Sequence, residues 1–188
     1  MQLKELVRTD ICLEPARLAG ALARSAKILA FVCFTAVAAQ LAVPLPFTPV
    51  PVTMQTLFVV LAGLTLGARD GFYALLAYLG LGLAGAPVFA GFGFGAGAFL
   101  GPTGGYLVSF PAGALVSGYL FREFGGSRFA AFFASLCGMA LMLGGGAAYL
   151  SFVGGFPFAQ TASLAILPFA AGETAKAVIA AFLSKRGV

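Results

Sequence analysis

Glu173 and Lys176 stand three residues apart in the apolar stretch S-L-A-I-L-P-F-A-A-G-E-T-A-K-A-V-I-A-A-F-L, as the charged pair in the interior of a predicted membrane span. Three positions is close to one helical turn, so both side chains leave the same face. An ionisable group at that depth costs on the order of 2.5–3.5 kcal/mol on insertion scales, and such groups ordinarily face a cavity, a partner or a substrate. Two chemistries fit the spacing. In one, a ligand is held, with Lys176 neutralising a carboxylate or donating polar contacts and Glu173 accepting N–H bonds. In the other, the pair is a ligand-free salt bridge that only joins helices, a weak source of stability. A ligand bearing both a carboxylate and hydrogen-bond donors would use both groups.

Other chemistries are excluded by absence. The 188 residues include no His, Asn or Trp. Imidazole proton relays, His-based metal sites and Ser/Cys–His nucleophiles are therefore ruled out, and no catalytic residues are expected. Cys12, Cys33 and Cys137 are far apart, odd in number and without metal-ligand spacing, so they read as small apolar filler or free thiols. The run G-F-G-F-G-A-G-A-F-L-G-P-T-G-G at 91–105 lacks the G-x-x-x-x-G-K-[ST] pattern and a preceding strand, so it is no phosphate cradle. The chain has no ATPase motif of its own, and any ATP-driven step needs another polypeptide.

The elements that must position the pair are membrane helices. Hydrophobic residues make up 61% of the chain and charged residues 9%, with mean hydropathy +1.02; soluble domains carry roughly 25% charge. The expectation is an all-α membrane protein with six spans near 26–43, 53–67, 70–85, 104–121, 127–150 and 160–184, at about 20 residues each. The second is short for a full crossing. Residues 1–25 mix Lys4, Glu5, Arg8, Asp10, Glu14, Arg17 and Arg24 with apolar positions, and read as a cytoplasmic amphipathic segment interrupted near Pro15. Residues 26–188 then form one six-helix domain.

Loop charge fixes the orientation. Arg69 and Asp70, then Arg122, Glu123 and Arg128, then Lys185 and Arg186 occupy alternate connections, while 44–52, 86–103 and 151–159 carry no charge. The positive-inside rule puts the charged side, and both termini, in the cytoplasm. The net charge of +5 is thereby explained without nucleic acid. The uncharged outer loops are rich in Pro, Gly and Phe, a composition tolerated where backbone packs into protein or lines a cavity. The first two read as a lid over an outer pocket, one stiffened by proline and the other able to bring glycine backbone to a ligand; simple packing against helix ends is the alternative. Ala26, Ala30, Ala38 and Ala42 form a small-residue ridge suited to bundle packing or to a partner subunit. Gly144, Gly145 and Gly146 imply close packing or a widened cavity, and Pro111 and Pro168 are expected to interrupt their spans.

Four segments in order carry a family resemblance: P-F-T-P-V-P-V-T-M-Q-T-L at 46–57, L-A-G-L-T-L-G-A-R-D-G at 61–71, G-A-P-V-F-A-G at 85–91 and L-G-P-T-G-G-Y-L at 100–107. Together they resemble the BioY biotin transporters, substrate-binding S components of energy-coupling factor (ECF) transporters, over about 28–184. The resemblance implies the ECF S-component fold in the cytoplasmic membrane, with biotin taken up from outside as transported substrate and no cofactor. It implies as partners membrane lipid, a transmembrane coupling subunit and ABC-type ATPases, with a homo-oligomer left open. G-E-T-A-K at 172–176 is similar to the family's G-D-x-x-K motif, with Glu173 in the place of Asp; the family's Asn near the third helix has no counterpart. On this basis the expected substrate contacts are Glu173 and Lys176, then Gln55, Thr53, Tyr106, Tyr149 and the glycine backbone at Gly91, Gly93 and Gly95. An S component for another vitamin, or a structural membrane protein, are the alternatives.

Overall fold

The computed structural model describes residues 2–155 and 157–184. Helix α1 (Gln2–Gln40) runs on past Pro15. The expected interruption is absent: proline removes one hydrogen bond, but its fixed φ suits a helix. Within α1, Arg17–Gln40 is long and apolar enough to cross a bilayer. Lys185 and Arg186, and the side chains before Arg17, lie outside the described residues.

The helix stops at Gln40, short of the expected 43. Pro44 drives the residue before it toward extended backbone, and β1 (Ala42–Val43) pairs antiparallel with β2 (Val52–Thr53), Ala42 opposite Thr53 and Val43 opposite Val52. The four-proline segment is thus the tip of a small hairpin, where the sequence predicts a loop. Next come α2 (Gln55–Leu66) and α3 (Ala68–Leu83), joined through Gly67 alone. Its φ of +86° belongs to a region L side chains avoid. At about 1.5 Å per residue, α2 spans only about 18 Å, in keeping with its expected shortness. The 84–103 connection holds a 3₁₀ turn at Ala90–Phe92 and a one-turn α4 (Gly97–Leu100).

Helices α5 (Gly104–Glu123) and α6 (Arg128–Gly154) are long and apolar enough to span a membrane. Among the described residues these two and Arg17–Gln40 meet that test, and the shorter α2, α3 and final helices complete the bundle. The Ser127 side chain caps α6, accepting from the Ala130 amide at 3.0 Å. Pro111 lies inside α5 without ending it, contrary to expectation. Pro168 does act as a breaker. The expected single span at 160–184 is two helices, α7 (Phe158–Ala165) and α8 (Leu167–Leu183), with Pro168 in the first turn of α8. Proline has no N–H to donate back to residue 164, and its ring crowds that carbonyl, so the chain restarts after Ile166.

Helix α5 is the centre, packed on α6, α2 and α3. Glycine sets how close these helices come. A Cβ on Gly63 would sit 2.1 Å from the Ala114 carbonyl oxygen, and one on Gly138 2.8 Å from the Gly113 carbonyl oxygen. Tight backbone approach of this kind supplies the dispersion contacts that hold helices together in lipid. On α1 the alanine ridge divides: Ala38 is buried in the bundle, whereas Ala26 is exposed. At the charged end, Arg24 of α1 holds Asp70 of α3 with two hydrogen bonds.

Candidate substrate-binding site

Residues of the β2–α2 junction (Thr53, Gln55, Thr56) and of α8 (Phe169, Glu173) line a cavity of about 340 Å³. From α8, Glu173 enters this cavity with 5% exposure. Its Oε1 accepts from Lys176 Nζ at 2.7 Å and from Thr56 Oγ1 at 3.0 Å. Its Oε2 is buried, with no hydrogen-bond partner among the described residues.

Lys176 points elsewhere. Its ammonium donates to Glu173 Oε1, to Thr56 Oγ1 at 2.9 Å and to the Thr53 carbonyl at 2.7 Å. An ammonium has three protons, and all three are engaged. Lys176 is not among the cavity-lining residues; it sits behind Glu173 and ties α8 to the start of α2. The pair is thus a salt bridge that joins α8 to the β2–α2 junction, with Glu173 also in the cavity lining. Lys176 is the strut, and Glu173 is a strutted carboxylate whose second oxygen is buried and has no hydrogen-bond partner among the described residues.

The walls are apolar, with Phe110 of α5, Phe169 of α8, Leu143 of α6, and Phe89 and Phe94 of the second outer connection. Val50 and Pro51, next to β2, add the proline hairpin to the boundary. Both expected lid segments thus border one cavity.

The remaining expected residues divide between the cavity and its supports. Thr53 and Gln55 line it. Gln55 is anchored through Nε2, which donates to Tyr78 Oη at 2.7 Å, while Tyr78 donates to the Val88 carbonyl at 2.9 Å; Gln55 Oε1 accepts from Thr53 at 3.2 Å. One Nε2 proton has no partner in that chain. Tyr106 also lines the cavity, and its hydroxyl donates to the Ala165 carbonyl at 2.9 Å. That carbonyl is free because the Phe169 amide bonds Ile166 instead, so the Pro168 break is what orients Tyr106. The ring fits because Gly146 has no Cβ, which would lie 2.3 Å from it. The glycine trio therefore serves close packing at Gly145 and Gly146, not a widened cavity.

Tyr149 does not line the cavity; its hydroxyl fixes the Phe99 carbonyl at 2.7 Å. Of the three glycines, Gly93 is in the lining and Gly91 and Gly95 are not. The Gly93 amide and carbonyl bond Ala90 and Phe89, and the Gly95 amide bonds Gly82. This backbone holds its own turn, where a ligand contact had been expected. Sequence reasoning missed Thr56 and Tyr78. Thr56 and Tyr78 are polar groups on otherwise apolar helix faces, a signal that was present but has no spacing rule to make it specific.

The BioY family model matches residues 13–188. The chain is 40% identical over 157 residues to a probable biotin transporter BioY of Pyrococcus horikoshii, covering 83% of this chain and 90% of the relative. It is 38% identical over 153 residues to the biotin transporter BioY of Rhizobium etli, covering 76% and 80%. In three dimensions it resembles the crystal structure of the S-component for biotin from an ECF-type ABC transporter, with TM-score 0.82 and 27% identity over 88% of this chain and 90% of that one.

Proposed function

From the premise that this chain belongs to the BioY family of membrane transporters, we propose that it binds biotin in the cavity above Glu173 as the S component of an ECF-type transporter. The observation that carries the assignment of the site is the unpaired Glu173 Oε2. A buried acceptor left unmade is costly, and native structures rarely keep one without a purpose. A cyclic urea supplies what is missing, an N–H aimed at a carboxylate. Biotin's fused rings and aliphatic chain match the Phe89, Phe94, Phe110 and Phe169 walls, and about 340 Å³ falls in the usual range of roughly 300–1,000 Å³ for small-molecule sites.

The polarity of binding follows from the same geometry. Lys176 has no free proton, so a ligand carboxylate beside Glu173 would meet a like charge without compensation. The ureido group therefore goes to the floor and the valeryl carboxylate toward the outer loops. Thr53, Gln55 and Tyr106 are the neighbouring polar groups available to the rings.

The chain has no motor of its own in this reading. Its partners are a transmembrane coupling subunit and ABC-type ATPases in the cytoplasmic membrane. The charged connections and both termini face the cytoplasm, with residues 1–25 as the cytoplasmic N-terminal segment and 26–188 as the substrate-binding domain.

Competition against labelled biotin on purified protein tests the assignment. Biotinamide, which loses only the carboxylate charge, is expected to compete well, and ureido N-methylated biotin to compete poorly. The opposite ranking overturns the orientation, and displacement by a different vitamin but not by biotin overturns the substrate.

A further inference from the structure

The outer loop 88–94 gives the cavity Phe89, Ala90, Gly93 and Phe94, yet little of its shape is self-enforced. It turns through Gly91 at φ +64° and Phe92 at φ +59°. The second of these is a bulky residue in a region L side chains avoid. The loop's internal bonds are Phe89 N–H to the Gly93 carbonyl at 3.0 Å and a long Gly93 N–H to the Ala90 carbonyl at 3.3 Å. Two anchors come from α3: Tyr78 donates to the Val88 carbonyl, and the Phe89 ring rests on Gly82, where any Cβ would lie 2.0 Å from it.

A third anchor comes from a different helix. Gln40, the last residue of α1, presents its amide to both sides of the turn. Nε2 donates to the Phe89 carbonyl at 3.1 Å, and Oε1 accepts the Phe92 N–H at 3.0 Å. A primary amide is the side-chain group that can donate and accept at once in this manner. It meets the one residue whose backbone conformation most needs restraint. Gln40 itself is not among the lining residues.

We propose that Gln40 is a lid-positioning residue, whose two-sided clamp on Phe89 and Phe92 holds the 88–94 loop closed and thereby sets how long the ligand stays. This rests on the reading of the cavity as a biotin site. Its signature is kinetic: a residue that holds the lid without touching the ligand changes escape more than capture.

The experiment loads the purified full chain with radiolabelled biotin and chases with unlabelled biotin. Gln40→Ala is expected to raise the dissociation rate roughly tenfold, the effect of two modest hydrogen bonds, with an association rate equal to or above that of the parent. Gln40→Glu keeps an acceptor for Phe92 and loses the donor to Phe89, so its dissociation rate should fall between the two; it carries the test if the alanine variant does not fold. Without ligand, amide exchange at Phe92 and Gly93 should quicken in the alanine variant while α5 and α6 stay protected. A dissociation rate within twofold of the parent, or exchange that rises across the whole bundle, overturns the proposal. If the parent chain does not bind biotin, the functional reading fails, and the exchange measurement still decides the role of Gln40.

Discussion

At the scale of single residues, the charge pair divides its labour, and substitutions should separate the two roles. Glu173→Gln removes the anionic side chain from the cavity lining. A hydrogen bond to a charged group is worth about 1.5–3 kcal/mol, so biotin affinity should drop by roughly ten- to a hundredfold, as read by equilibrium binding; the buried Lys176 ammonium also loses its counter-charge, so thermal stability should fall as well. Lys176→Met instead strands a carboxylate at 5% exposure, a change of about 3–5 kcal/mol when one partner of a buried pair is lost. It should lower the melting temperature and binding together. Combining the two substitutions should restore much of the stability and none of the affinity. If Lys176→Met abolished binding at unchanged stability, the lysine would be a ligand contact and its place behind Glu173 would be misread. The pair itself was legible in the sequence, because two charges one turn apart in an apolar run admit few explanations. Its asymmetry was not, because that depends on Thr53 and Thr56, distant in sequence, arriving to take up the lysine's protons.

At the scale of elements, glycine and proline decide how the helices meet. The contrast between two glycines makes this testable by thermal unfolding in detergent. Gly63→Ala would press a Cβ to within 2.1 Å of the Ala114 carbonyl, whereas an added Cβ at Gly144 meets nothing within 4 Å. The first should destabilise strongly by forcing α2 away from α5. The second should be neutral or gain up to about 1 kcal/mol through helix propensity. Equal effects would show that the close approach does not control packing. Pro111 and Pro168 looked alike in the sequence, each in an apolar helical run. Pro111 is buried within α5, where neighbouring helices sustain the helix around it, while Pro168 begins a new helix and frees the Ala165 carbonyl for Tyr106. Local chemistry made both candidates for a break, and packing chose one.

At the scale of the whole molecule, the alternation of charged and uncharged connections gives a sidedness that can be checked directly. Phe124 lies in the α5–α6 turn and Phe47 in the proline hairpin, and both are exposed. In a background with Cys12, Cys33 and Cys137 replaced by Ala, a cysteine at 47 should react with an impermeant thiol reagent in intact cells. One at 124 should react only after the membrane is opened. The reverse pattern would invert the topology. Ligand linkage supplies a second global test: biotin at about one hundred times its dissociation constant should stabilise the folded chain by about 2.7 kcal/mol. A melting temperature indifferent to biotin would argue for a structural protein.

Composition and charge placement by themselves determined a mostly helical membrane protein, its handful of spans and a charged pair inside its last apolar run, because the bilayer penalises charge and unpaired backbone so heavily that few arrangements survive. Four ordered motifs added the family. Which Glu173 oxygen lacks a partner among the described residues, which glycines line the cavity, and which residue holds the 88–94 turn were decided only by the tertiary structure. Each of those depends on hydrogen bonds between residues dozens of positions apart, such as Gln40 with Phe92 or Lys176 with Thr53. No local pattern encodes such pairings, because the partners meet only once the helices have packed.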